Sequence, residues 1–282
     1  MFIITYLAGI VQFLSTSPVH PVLYPFPWGS TLHAARITHA FRGRMKALGT
    51  HAQLGFGPEF AGFLLMCWGG GILSNFLMFQ PPPQLLTVQP WLNYISVHIL
   101  FGYAVDYAPS PKFLDTYLPI FDAILRTGSV CGAVSAARAH PNPAIASSTF
   151  FHLIIGAVAS AGGGVTASTL GVWNTEWSLR RPPFLQGGVV DTLDLWGGSI
   201  VAAVYSCLLG LNPAYEPYTR WLSGLGDKYE PGTPLMTPLE ARSVSVIILA
   251  GLFAWRAYMI HYTTPVQAKS APTPTSIKEK TE

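Results

Sequence analysis

The chain reads as an all-α polytopic membrane protein, with seven transmembrane helices laid out as two inverted three-helix repeats plus a seventh helix. Three observations predict it. Of the 282 residues, 50% are hydrophobic and only 10% charged, against roughly 25% charged in a soluble domain, and mean hydropathy is +0.37. A glycine triplet occurs twice inside apolar stretches, as Gly69, Gly70 and Gly71 and as Gly162, Gly163 and Gly164, 93 residues apart (162 minus 69). Each copy is followed by a proline cluster, Pro81 to Pro83 and then Pro182 and Pro183. Glycine interruptions at corresponding positions of two apolar halves point to a transport site between repeats.

The elements follow in order. Residues 1–16 are apolar but short of the roughly 20 that cross a bilayer. They lack a basic start, so they are part of a first span, an interfacial segment or an extra span. The stretch from about Trp28 to Phe41 is the most polar candidate, with His33, Arg36 and His39, and a basic loop of Arg42, Arg44 and Lys46 follows. Span two runs from about Phe56 to Phe79, span three from about Trp91 to Tyr107, and span four from about Phe113 to Ala137. Span five runs from about Ala144 to Trp173 and span six from about Val189 to Leu211. A polar loop then lies on the membrane surface, and span seven covers about Ala241 to Tyr262. The transmembrane domain is thus residues 1–264, with repeat one at about 22–107, repeat two at about 113–211 and the seventh helix at about 241–262. Residues 265–282, rich in Pro, Ser, Thr and Lys, make a disordered tail.

Basic residues choose the orientation. With the loops after spans one, three and five and the tail on the cytosolic side, that side collects ten lysines and arginines, including Arg256 near the end of span seven and three in the tail. The four on the other side are Arg138, Arg220, Lys228 and Arg242. The C-terminus is then cytosolic. Three spans per half is an odd number, so the two halves insert upside down relative to one another.

Several residue types carry candidate chemistry. Each triplet either opens a helical turn, baring carbonyls to a water-filled path, or lets two helices approach closely. Ser74 and Asn75 in one half, and Thr166, Ser168 and Thr169 in the other, extend a hydrophilic path or bond back to their own helix carbonyls. Arg126 lies mid-span and is a functional candidate as a gate or a head-group contact. Asp122, four residues earlier, is in register to pair with it. Asp106 and Asp122 offer attraction to a cation, whereas Asp191 and Asp194 read as interfacial. His98 and His152 read as hydrogen-bonded interior histidines before haem ligands. Cys67, Cys131 and Cys207 all fall in apolar stretches and read as small core residues. No metal-ligand spacing, nucleophile-and-base set or phosphate loop is present, so neither an enzyme nor a nucleic-acid binder is expected.

Four strings, in chain order, resemble those of the trimeric intracellular cation channels, the TRIC family. GGGILSNF, from Gly69 to Phe76, is close to a string in span five of the family's animal members and sits here in span two. FLMFQPPPQLL resembles the segment after the family's span two, and FGYAVDY its aspartate-ended span three, with Asp106 at the aspartate. LPIFDAILRTGSVCGAVSAARAH resembles its span four. The fit covers about residues 55–260. The resemblance implies a homotrimer in an intracellular membrane, the endoplasmic reticulum or nuclear envelope, with one pore per subunit between the inverted halves. It would pass monovalent cations, chiefly potassium, as counter-ions to calcium movement. In animal members a basic cluster of span four binds a phosphoinositide head group. Aligned here, that cluster falls on Asp122, Arg126 and Ser129, and only Arg126 keeps the basic type. No cofactor is therefore expected, and phosphoinositide stays open as a ligand of one arginine. The alternative function is an inverted-repeat secondary transporter using Asp122 and Arg126.

Overall fold

The computed structural model describes residues 2–50, 53–104 and 109–263. Asp106 and the tail expected at 265–282 lie outside the described residues. The described chain is mostly helical. Helix α1 (Phe2–Thr16) leads into a small antiparallel hairpin, β1 (Pro18–His20) and β2 (Tyr24–Pro27). The main helices are α2 (Trp28–Leu48), α3 (Phe56–Leu77), α4 (Gln89–Gly102), α6 (Pro119–Arg138), α8 (Thr149–Leu170), α9 (Leu193–Leu208) and α11 (Pro238–Tyr258). Short helices α5 (Pro111–Tyr117), α7 (Pro143–Ala146) and α10 (Glu216–Ser223) lie between them, and a π turn (Met259–Thr263) extends α11.

Local chemistry sets the boundaries. Pro119 has no amide proton to bond back into α5, so the expected fourth span divides there into α5 and α6. The Ser148 hydroxyl accepts from the Phe151 amide to start α8, and Gly171, at φ 61°, ends it in the left-handed conformation that glycine takes without strain. At α11 a capping box joins Thr237 and Glu240.

Among the described residues, four helical segments are long and apolar enough to cross a membrane: Phe56–Leu77, Pro119–Arg138, Thr149–Leu170 and Pro238–Thr263. A fifth is the pair Leu193–Leu208 and Pro213–Ser223, bent by 87°. The sequence leads one to expect seven. The α2 helix falls short because it carries Arg36, Arg42, Arg44 and Lys46. The α4 helix falls short in length, since 14 residues reach only about 21 Å at 1.5 Å each.

Among the described residues two larger apolar cores form, beside a small cluster of Met78, Ala137, Ile145 and Ile155. One joins α2, α3 and α4 around Phe41, Phe63, Trp68 and Val97. The other joins α1, α6, α9 and α11 around Val11, Val130, Val201 and Leu249. Helix α8 lies between them, packed against α3, α6 and α9.

Candidate functional site at the glycine crossing

Helices α3 and α8 are both 22 residues long. Their triplets begin at the same place, the fourteenth residue, since 69 minus 56 and 162 minus 149 are both 13. The helices cross there. A Cβ on Gly69 would stand 3.0 Å from the Gly163 Cα, and one on Gly162 would stand 2.7 Å from the Gly70 Cα. Exchanging the two halves turns the first contact into the second. The next pair obeys the same rule. A Cβ on Gly70 would meet the Val158 and Ala159 carbonyls, both at 2.9 Å, and one on Gly163 would meet the Met66 carbonyl, with that of Leu65 at 3.8 Å. Carbonyls ten and eleven of each helix therefore cradle glycine fifteen of the other. Only glycine permits this approach. A second crossing binds α8 to α9, where a Cβ on Gly156 would stand 2.7 Å from the Gly198 carbonyl oxygen.

Neither triplet opens its helix. Both α3 and α8 stay helical throughout, contrary to the expected helix break. With no water in a bilayer core, a backbone amide freed by an opened turn would need another partner, and the crossing removes the need. The third glycine of each triplet faces open space: nothing lies within 4 Å of a Cβ on Gly164, and only the Gln84 amide nitrogen, at 3.9 Å, lies near one on Gly71.

That space is a polar cavity of about 270 Å³, lined by Gly70, Gly71, Gly163 and Gly164 together with His33, Arg36, Asp122, Arg126, Asp194 and Arg256. A wider cavity of about 400 Å³ adjoins it, reaching Ser15, Ser30, Gln84, Tyr94, Gly128 and Arg242. The two share His33, Cys67, Gly71, Leu125 and Ser129 in their walls, so they meet beside the crossing.

Ion pairs between helices set the charge of the narrower cavity. Arg36 of α2 donates Nε to Asp122 Oδ1 at 3.0 Å and Nη2 to Asp122 Oδ2 at 3.0 Å, and it stands 3.4 Å from Asp115. Arg126 donates to the Ser160 carbonyl and stands 3.5 Å from Asp194. Asp194 also accepts from Arg256 at 2.7 Å, and both arginines flank the Phe253 ring. The intrahelical pair of Asp122 with Arg126 does not form. Asp122 is taken by the two-point fork of Arg36, which a single helix-face neighbour does not match. Asp194, expected at the membrane interface, lines the cavity together with Arg36 and Arg256; as charges inside candidate spans, the two arginines carry the sequence signal for this site.

The expected hydroxyl lining is elsewhere. Ser74 is buried, with no hydrogen-bond partner for its hydroxyl. Asn75 bonds back to the Gly71 carbonyl at 2.8 Å. The Thr166 hydroxyl packs at the crossing, 3.3 Å from where a Gly69 Cβ would lie. The Ser168 carbonyl accepts from the Gly171 amide. None of these four lines either cavity. Buried His98 lies between the Thr38 hydroxyl, at 3.1 Å, and the Glu59 carboxylate, at 3.1 Å. His152 is buried with neither ring nitrogen partnered.

Fold and cavity together define an all-α polytopic membrane protein with polar groups gathered at a crossing of two apolar helices. The chain is similar to a Xenopus tropicalis protein named trimeric intracellular cation channel type B, 27% identical over 165 residues, covering 54% of this chain and 55% of the relative. It is likewise similar to trimeric intracellular cation channel type B-A of Xenopus laevis, 28% identical over 163 residues, with the same shares covered. The chain spans about half the length of the curated relatives it matches. No family model and no solved structure matches it.

Proposed function

We propose that the chain is a cation channel of an intracellular membrane, conducting through the joined cavities beside the α3–α8 crossing. The observation that carries this reading is the reciprocal glycine contact, which sets two halves about one point and leaves Gly71 and Gly164 facing the polar space. The reciprocity supports two inverted three-helix repeats, with α2, α3 and α4 as the first, α6, α8 and α9 as the second, and α11 as the seventh helix. The relatives' names support the cation and the trimer. In this reading potassium is the main ion, the subunits form a homotrimer, and the membrane is that of the endoplasmic reticulum or nuclear envelope, with the C-terminus cytosolic. Potassium would balance the charge moved by calcium.

Asp122 and Asp194 supply the attraction, and their pairing with Arg36, Arg126 and Arg256 limits the repulsion those arginines exert. Arg126 serves as a gate. The path holds no tight cage of carbonyls, so selectivity among monovalent cations is modest.

Single-channel recording of the purified chain in a planar bilayer, under a potassium chloride gradient, tests the reading. Discrete current steps that reverse near the potassium potential are expected. Folded, inserted protein that gives no steps but a saturable flux would instead be a transporter.

A further inference from the structure

Between α9 and α11 the sequence leads one to expect a polar loop, but Glu216–Ser223 within it is helix α10. The segment Pro213–Ser223 is bent by 87° from α9. With α9 across a membrane, α10 therefore lies close to the membrane plane.

The flanks of α10 follow from the helical repeat of about 100° per residue. Thr219 points to the protein. It is buried, and its hydroxyl lies 3.0 Å from the Cys207 carbonyl in the last turn of α9. With Thr219 as zero, Tyr218, Trp221 and Leu222 lie at about −100°, −160° and −60°. Glu216 and Arg220 lie at about +60° and +100°. One flank is thus aromatic and aliphatic, the opposite flank carries the two charges, and the edge between them is pinned to α9. The three apolar side chains are exposed to 64%, 78% and 51%. Leu225, just past the Gly224 that ends the helix, is exposed as well.

The charged flank is satisfied by itself. Arg220 donates Nη2 to Glu216 at 2.8 Å and stands 3.4 Å from Asp227. From Pro213 to Pro231 the basic residues are Arg220 and Lys228 and the acidic ones Glu216, Asp227 and Glu230, a net charge of −1 (2 minus 3). No attraction to anionic head groups is therefore built in. Trp and Tyr favour the membrane–water boundary, and a helix with one apolar flank and one charged flank rests there with the apolar flank sunk among the acyl chains. A neighbouring copy in the membrane plane would meet the side opposite Thr219, whereas the apolar flank is centred about 110° from Thr219.

We propose that α10 is an in-plane membrane anchor. Its Tyr218, Trp221 and Leu222 flank is buried in the uncharged interface of the bilayer that α9 crosses, and its Glu216 and Arg220 flank stays in water. Through Thr219 and the Cys207 carbonyl the anchor fixes the depth of that end of α9. The inference rests on the membrane-spanning fold and not on conduction.

Spin labelling of the full chain in phosphatidylcholine vesicles tests it. Cys67 is replaced by serine, while Cys131 and Cys207 are buried and stay. Nitroxides are attached one at a time at Trp221→Cys, at Leu222→Cys and, as a control, at Asp227→Cys, where the native side chain is fully exposed. Collisions with oxygen, which concentrates in lipid, are compared with collisions with a water-soluble nickel chelate. The oxygen-to-nickel ratio is expected to be at least tenfold higher at the two flank positions than at the control. A ratio at the flank equal to the control would overturn the proposal, because the flank would then face water. Labels on the flank that neither reagent reaches would overturn it too, since protein would then cover the flank, and dipolar broadening between labels would identify a second copy as the cover. If a flank variant does not fold, Tyr218→Cys on the same flank gives the same reading. No current is recorded, so the outcome is separate from whether the chain conducts.

Discussion

Arg36 and Asp122, 86 residues apart, meet at two points of 3.0 Å each, Nε to Oδ1 and Nη2 to Oδ2. This pair ties the most polar of the long helices, α2, to α6. It also answers how a helix with an arginine at its centre sits beside apolar neighbours: the charge is turned inward onto a carboxylate that is itself mostly buried.

Breaking that pair leaves Arg36 with only its longer contact to Asp115, at 3.4 Å. Asp122→Asn is expected to destabilise the chain by about 2–3 kcal/mol, below the 3–5 kcal/mol of a fully buried pair because both groups keep some exposure. The exchange Arg36→Asp with Asp122→Arg is expected to recover much of the loss. Thermal unfolding in detergent measures both, and an exchange no better than the single change would discount the pair.

The reciprocal crossing sets a sharp contrast among glycines. Gly163→Ala drives a methyl group into the Met66 carbonyl and is expected to cost about 1–3 kcal/mol. Gly132→Ala, in mid-α6 with nothing within 4 Å of the added carbon, is expected to gain up to about 1 kcal/mol from helix propensity. Equal melting temperatures for the two variants would mean that the contact at Gly163 is not close.

Conduction is expected to follow the same contact. Gly70→Leu and Gly163→Leu should each abolish single-channel current while insertion persists, since either side chain must displace the facing helix. Normal currents in either variant would remove the pore from the crossing.

The proposed inverted arrangement puts the loop after α8 and the loop after α9 on opposite faces. Thr175→Cys and Glu230→Cys, both exposed, are expected to react with a membrane-impermeant thiol reagent from opposite sides of sealed vesicles. Of the three native cysteines, Cys131 and Cys207 are buried, and Cys67, which lines both cavities, is replaced by serine in the labelling background. Labelling of both positions from one side would rule out the inversion.

Much of the helical layout was legible because apolar length and proline positions are local signals. Helix α3 starts at Phe56, the residue where a span is expected to begin, and α8 lies inside its expected 144–173 stretch. Two things were not legible. One was the state of the triplets: propensity in water counts against three adjacent glycines, but packing between helices keeps the turns closed. The other was the set of ion pairs. Arg36 with Asp122, and Arg256 with Asp194 62 residues away, are matched across helices, and no spacing rule along the chain reveals them. Intrahelical spacing instead suggested Asp122 with Arg126, a pairing that the Arg36 fork displaces.

The α3–α8 crossing also has a timetable. Gly70 precedes its partner helix's Gly163 by 93 residues (163 minus 70), which a ribosome covers in about 5–20 s. For that interval the first half is already made, yet the notch that will receive α8 stands open along α3. Lipid tails or an insertion factor must fill it and then yield. A nascent chain held at this stage is the one most exposed to pairing with the wrong helix, and slowing translation after α4 should raise the misassembled fraction.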